Sequence, residues 1–154
     1  MSEPKQRPLV LLLSALTLPA VLLSSGPANA APAPETARLT ISFTGVSKPG
    51  GAIMAGVFDS REAFDGDRPV QGVRIPVTGP TATETITGLK PGRYAIKAYH
   101  DVNGDGRMNT NPFGMPIEPY AASNNAPSRM APPAWADAVI DLVGGDNAHA
   151  IRID

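Results

Sequence analysis

The residues best suited to chemistry in this chain form a short run of oxygen-bearing side chains and glycines. The run reads Asp-Val-Asn-Gly-Asp-Gly-Arg-Met-Asn over residues 101–109. Oxygen side chains stand at its positions 1, 3, 5 and 9, with glycine at 6, which is the spacing of the first part of a calcium-binding loop. Because every candidate ligand is an oxygen, calcium is favoured over zinc. The predicted ligands are the side chains of Asp101, Asn103, Asp105 and Asn109 and the main-chain carbonyl of Arg107.

The candidate calcium loop departs from an EF-hand at one position. Pro112 stands at position 12, where an EF-hand has a bidentate glutamate, so Glu118 or Asp137 would have to supply that carboxylate. The alternative is a metal-free turn, because Asp, Asn and Gly favour hydrogen-bonded turns without any ion. An extracellular calcium site typically has a Kd of about 10⁻⁴–10⁻³ M, so the predicted role of the ion is to organise the loop.

Aromatic and amide side chains further along the chain form a second candidate site. On an ordered loop, such side chains can line a site for a small ligand or a peptide. The alternative is that they pack the loop onto the rest of the fold. The candidate ligand-binding residues are Phe113, Tyr120, Asn124, Asn125 and Trp135.

Catalytic motifs are largely missing from the sequence. His100 and Asp101 are adjacent, so in a strand their side chains point to opposite faces and are poorly placed to act together. No Gly-x-Ser-x-Gly motif is present. We therefore expect His100 and His149 to be structural and the protein not to be an enzyme. An unrecognised hydrolase that uses His100 is the remaining catalytic alternative.

The elements that must position these residues are predicted to be short β-strands. Leu39, Ile41 and Phe43 alternate with polar residues, as in a half-buried strand, whereas residues 52–58 are apolar on both faces, as in a central strand. Pro76 restricts its strand to an edge of a sheet. Since glycine and proline turns separate the strands, we predict an all-β, antiparallel β-sandwich of about seven strands over residues 37–154.

Two other local structures are predicted within this domain. Residues 60–64 are expected to form one helical turn, capped by Asp59 or Ser60. Residues 102–136 contain no convincing strand or helix, although the segment has 35 residues and includes aromatic and Met side chains. Loops of this length are usually functional or disordered, and a disordered segment would be poor in aromatic residues. We therefore predict one long ordered loop that lies over one end of the sandwich.

The N-terminal region has the composition of a signal peptide. Lys5 and Arg7 precede an apolar stretch over residues 9–23, and a small-x-small sequence ends at Ala30. We predict cleavage after Ala30, followed by a flexible leader over residues 31–36. The mature protein is then exported and is either periplasmic or secreted.

Charge and composition exclude several classes of function. The chain has 13 basic and 14 acidic residues and a formal net charge of −1, which argues against nucleic-acid binding. It has no cysteine, so disulfides and Cys-ligated metal sites are excluded. No apolar segment of the predicted mature chain is long enough to span a membrane. The expected partner is an envelope component or a small ligand.

Several short motifs, read in order, resemble a known bacterial family. They are Gly56-Val57-Phe58-Asp59-Ser60, Gly88-Leu89-Lys90-Pro91-Gly92-Arg93-Tyr94, Tyr99 to Gly106, Gly114 to Tyr120, Ser123 to Ala126 and Pro132 to Trp135. The chain resembles the exported family catalogued as domain of unknown function 2141, over nearly all of residues 38–154. The resemblance implies a transthyretin-like or immunoglobulin-like sandwich in the cell envelope and brings no established activity.

This chain differs from the pattern of the family at two places. Family members often carry an acidic residue where this chain has Asn109, so the ion site here has one charge fewer. They often have Gly-aromatic where this chain has Ala121-Ala122. The resemblance to transthyretin-like proteins also does not extend to hydroxyisourate hydrolase activity, because the chain ends Ile-Arg-Ile-Asp and not Tyr-Arg-Gly-Ser.

Overall fold

The computed structural model describes residues 34–128 and 131–154. The predicted signal peptide, the first residues of the predicted leader and the pair Arg129 and Met130 lie outside the described residues. The strands are β1 (Ala37–Thr44), β2 (Ala52–Phe58), β3 (Gln71–Pro76), β4 (Thr81–Leu89), β5 (Gly92–Asp101), β6 (Tyr120–Ala122), β7 (Ile140–Leu142) and β8 (Gly145–Arg152). The helices are α1 (Arg61–Asp65), α2 (Trp135–Ala138) and a 3-10 turn, Ser123–Asn125.

The strands form two sheets, which confirms the all-β fold. One sheet has the order β4-β1-β8, and the other has the order β3-β2-β5-β6, with β7 also paired to β5. The described residues therefore contain eight strands, where about seven were predicted. All pairs are antiparallel except β1 and β8, which run parallel along their whole length. The central position of β2 and the edge position of β3 agree with the sequence pattern.

The main hydrophobic core lies between the inner faces of the two sheets. Leu39, Ile41 and Phe43 from β1 are fully buried, as their alternation predicted, and they share this core with Ile53 and Ile96 of the other sheet. Burial of each such side chain contributes about 1.5–3 kcal/mol to folding. This core holds the two sheets together. The outer face of each sheet is available for other contacts.

A second, smaller core covers one end of the outer face of the five-stranded sheet. The ring of Phe64 from α1 packs edge-on against Phe58, with centroids 5.4 Å apart, and against Trp135, with centroids 5.8 Å apart. Helix α1 begins as the sequence predicted, since the hydroxyl of its N-cap Ser60 accepts a hydrogen bond from the main-chain N–H of Ala63. The cluster holds both short helices on the sheet.

The expectation that residues 102–136 contain no strand or helix is wrong. Strand β6 and the 3-10 turn lie within this segment, and α2 begins at its end. Strand β6 has only three residues, too few for a period-two pattern, and it forms because β5 offers it a free edge. Within the part of the chain that is described, no helix is long and apolar enough to cross a membrane.

Candidate functional site

The predicted calcium loop begins where β5 ends, at the buried residue Asp101. This side chain is 1% exposed. Its Oδ1 accepts hydrogen bonds from the main-chain N–H groups of Gly104 at 2.7 Å and Asp105 at 3.1 Å, and its Oδ2 accepts one from Gly106 at 2.8 Å. One carboxylate therefore folds the next five residues around itself.

The exposed half of the loop converges on Asp105. Its Oδ2 accepts hydrogen bonds from the amide groups of Asn103 at 3.1 Å and Asn109 at 2.9 Å. Its Oδ1 accepts one from the main-chain N–H of Arg107 at 2.9 Å. The hydrogen bond from Asn109, followed by the one from Arg107, lowers the pKa of the Asp105 carboxyl. Four of the five predicted ligand residues thus meet at this carboxylate.

Glu118 adds a further carboxylate behind the loop. It is 8% exposed, and its two oxygens accept hydrogen bonds from the main-chain N–H groups of Val102 at 2.9 Å and Asn109 at 3.0 Å. Glu118, one of the two candidates for the missing carboxylate, is therefore hydrogen bonded to both ends of the loop. Asp137 lies in α2, where its main-chain carbonyl accepts a hydrogen bond from Asn124.

These contacts define what the loop can offer to a cation. A carboxylate has about four acceptor positions, and Asp101 and Asp105 each use three of theirs within the loop. Residues 34–128 and 131–154 contain no group of three or more His, Cys, Asp or Glu side chains arranged to hold a metal. Negative charge is nevertheless concentrated here. The pKa of Tyr99 is raised by burial first and then by Asp101, Glu118 and Asp105.

The two asparagines of the second candidate site make structural contacts. Both residues have positive φ, 58° for Asn124 and 50° for Asn125, a conformation that Asn tolerates better than most residues. The amide of Asn124 donates to the carbonyls of Asp137 and Val139, and the Oδ1 of Asn125 accepts from the main-chain N–H of Arg152 at 2.7 Å. These asparagines join the 3-10 turn to α2 and β8.

The three aromatic residues of that site have three different environments. Phe113 is 90% exposed. Trp135 packs in the second core, and Tyr120 lies in β6 with its hydroxyl donating to Oγ of Ser128 at 3.1 Å. The structure thus does not bring the predicted residues to one surface. Of the five, Tyr120 is the one that lines the groove described next.

A groove of about 900 Å³ lies over the outer face of the five-stranded sheet. Its floor comes from β2, β3 and β5. Its walls come from Asp67, Pro69, Met108, residues 114–116, Tyr120, Ala121, Ser128 and residues 131–133. The residues that the sequence left unassigned supply most of the lining. They include Met54, Gly56, Gly72, Arg74, Lys97 and Tyr99.

The groove is open at Gly72, whereas Pro69 and the ring of Phe58 lie against the Cβ position of Gly56, at 3.1 and 3.2 Å. Gly56 of β2 and Gly72 of β3 are directly paired across the two strands. A Cβ atom at Gly72 would meet only one atom, the carbonyl oxygen of Ala55 at 4.0 Å, and otherwise points into open space. Glycine inside a strand often marks a close approach by another group, and this is the signal that sequence reasoning could have used.

Charged and apolar groups occupy different parts of the groove. The ammonium of Lys97 lies 4.4 Å from the centroid of the Phe64 ring and donates to the Phe64 carbonyl at 2.6 Å. It also lies 3.4 Å from the carboxylate of Asp67. Arg74 is exposed and forms no ion pair or hydrogen bond through its side chain with the described residues. Met54, Met108 and Met115 add soft apolar lining.

Both histidines lie away from the groove and make main-chain contacts. His100 is 1% exposed, and its Nε2 lies 2.8 Å from the carbonyl oxygen of Gly50, to which it donates. The Nε2 of His149 accepts a hydrogen bond from the main-chain N–H of Asn124 at 3.0 Å, and burial lowers its pKa. His100 points inward beside the main core, on the face that its strand alternation predicted.

Comparison with known proteins supports one relationship. No curated protein and no solved structure matches the chain. The sequence profile of a bacterial family, described as uncharacterised protein conserved in bacteria, matches residues 41–150, which include strands β2 to β7 in whole, β1 and β8 in part, and both candidate sites. As its ordered motifs indicated, the chain belongs to this family, DUF2141.

Proposed function

We propose that this protein is an exported, non-enzymatic binding module of the cell envelope, and that the groove on the five-stranded sheet is its site for a small ligand. Export is supported by the signal-peptide pattern that ends at Ala30. The binding role rests on one observation, a groove of about 900 Å³ on a sheet face that the fold leaves uncovered. Ligand sites are commonly concave, mostly apolar and of about 300–1,000 Å³.

The elements at the two ends of this sheet face support this assignment. Helices α1 and α2 close one end of the outer face, and the loop after Asp101 stands at the other end. Between these two ends, Met54 of β2 and Tyr99 of β5 are directly paired across the two strands. The position of the loop wall depends on the Asp101 and Glu118 carboxylates, which hold the loop by main-chain hydrogen bonds.

The direct test is binding of a neutral apolar fluorophore, N-phenyl-1-naphthylamine, to the protein expressed from the complete sequence. We expect saturable binding, and we expect Gly72→Leu to weaken it by about tenfold, since the leucine side chain would occupy space that the fluorophore needs and overpacking costs about 1–3 kcal/mol. The matched control is Gly79→Leu. Gly79 also has open space around its Cβ position but lies in a turn outside the groove. Equal binding by wild type and both variants would refute the proposed site.

We also propose that calcium stabilises the loop over residues 101–109. The supporting observation is that the carboxylates of Asp101, Asp105 and Glu118 all hydrogen bond to this loop, with Arg107 as its one basic residue. A cation bound to the Asp105 carboxylate would replace the hydrogen bonds that the amides of Asn103 and Asn109 donate to it.

The calcium proposal is tested by thermal unfolding in excess EDTA and then with calcium from about 0.01 to 10 mM, which brackets the Kd of extracellular sites. Binding to the folded state alone adds about 2.7 kcal/mol at a hundredfold excess over Kd. We expect a rise in Tm that magnesium reproduces only weakly and that Asp105→Asn reduces. An unchanged Tm in calcium would show that the loop is a metal-free turn.

A further inference from the structure

One row of side chains crosses the groove from edge to edge of the sheet. The strand pairings place Arg74 of β3 beside Met54 of β2, Met54 beside Tyr99 of β5, and Tyr99 beside Tyr120 of β6. Neighbouring strands lie about 4.8 Å apart, so the row is about 14 Å long. It presents one cation at the β3 edge, followed by a thioether and two aromatic rings.

Among the described residues that line the groove, the charged side chains leave Arg74 as the available cation. Lys97 already contacts the Phe64 carbonyl and the carboxylate of Asp67. Among the described residues, no carboxylate forms an ion pair with Arg74; Arg38, Arg61 and Arg152 each form one, and none of these three lines the groove. An exposed guanidinium with five unused donors suits a carboxylate, which it can bind through two parallel hydrogen bonds.

The remainder of the row suits an aliphatic chain. Met54 and Tyr99 offer apolar contact, and Gly72 leaves open space in the groove, since its Cβ position meets only the carbonyl oxygen of Ala55 at 4.0 Å. Met side chains adapt to flexible apolar ligands because they are unbranched and polarisable. A neutral apolar ligand would make these contacts but would leave Arg74 unused.

We propose that the natural ligand is a carboxylate with a medium-length aliphatic chain, whose head group binds Arg74 and whose chain lies along the row toward Tyr120. This inference rests on the proposed function of the groove and specifies its ligand. Lys97 and Asp67 neutralise each other beside the aliphatic part of the ligand. The site therefore favours a ligand with a single anionic group, at the end that binds Arg74. A row of about 14 Å matches an extended chain of roughly ten carbons rather than a long lipid tail.

The experiment measures displacement of N-phenyl-1-naphthylamine by decanoate, decanol and decyltrimethylammonium, each below its micelle concentration. We expect decanoate to bind more tightly than decanol, and the cation more weakly than both. Arg74→Gln should raise the Kd of decanoate by about tenfold or more, because a charge-assisted hydrogen bond is worth about 1.5–3 kcal/mol. The same substitution should change the Kd of decanol by less than about twofold. The matched control is Arg93→Gln, an exposed strand arginine outside the groove.

Chain length provides a second measurement on the same protein. Each buried methylene contributes about 0.8 kcal/mol, so decanoate should bind about fifteenfold more tightly than octanoate. If the fluorophore binds and Gly72→Leu blocks it, but decanoate and decanol bind equally or Arg74→Gln has no effect, the carboxylate inference is wrong and the groove remains a binding site. If neither the fluorophore nor any amphiphile binds, both proposals fail.

Discussion

The contribution of Asp101 to stability can be worked out from its contacts. Asp101→Ala removes a carboxylate that is 1% exposed and that accepts three main-chain hydrogen bonds from residues 104, 105 and 106. Hydrogen bonds to a charged group contribute about 1.5–3 kcal/mol each when buried. The three donors lie in an exposed turn where water can replace the carboxylate, so we expect a total loss of about 2–4 kcal/mol rather than the full sum.

This loss can be measured by urea unfolding of the protein in excess EDTA, so that no ion contributes. For a domain of this size, the corresponding fall in Tm is on the order of 10 °C. Asp105→Asn is the matched control, because Asp105 is exposed and we expect its substitution to cost much less than that of Asp101. An Asp101→Ala variant within about 0.5 kcal/mol of wild type would refute the view that this carboxylate organises the loop.

Two further predictions concern other contacts of the fold. Gly51→Ala should lower the free energy of unfolding, measured in urea, by at least about 3 kcal/mol, because Gly51 has φ +67° and a Cβ there would lie 2.1 Å from the carbonyl oxygen of Asp101. Gly50→Ala is the control and should cost only about 1–2 kcal/mol, since Gly50 has φ +88° and open space around it. Equal costs for the two variants would contradict the close approach at Gly51. The pKa of His149 is lowered by burial, so the unfolded state binds more protons below its ordinary pKa of about 6.5, and the free energy of unfolding should fall as the pH drops through that value toward 5. His149→Gln should remove this component of the pH dependence, and an identical pH profile in the variant would contradict the assignment.

The strand pattern was predictable where one face of a strand meets the core. Leu39, Ile41 and Phe43 alternate because their polar neighbours face solvent, and Pro76 lies on an edge strand because it cannot donate a hydrogen bond within a sheet. The short strand β6 was not predictable in this way. Three residues carry no period, and their conformation depends on pairing with β5.

The oxygen-rich loop was predictable from local spacing, but the groove was not. Asp101, Asp105 and Asn109 meet because they lie within nine residues of one another. The groove depends instead on the register between β2 and β3, which places Gly72 and Arg74 on its side of the sheet, and no local pattern encodes that register.

The predicted aromatic site failed to assemble for a related reason. Residue type shows that Trp135 will bury its ring, but it does not show against which surface, and the ring packs on Phe64 of α1. The two asparagines of that site occupy backbone conformations with positive φ, which explains their residue type without any ligand.

The proposed binding of a small ligand on the outer face of the five-stranded sheet can be observed residue by residue. The most direct measurement is a titration of the isotopically labelled protein with decanol, followed through the main-chain amide signals in ¹H–¹⁵N NMR spectra. We expect the shifts to concentrate at Gly72, Lys97 and Tyr99, and the signals of Thr40 and Thr85, on the outer face of the other sheet, to stay unchanged. Shifts spread evenly over both sheets, or confined to Thr40 and Thr85, would contradict it.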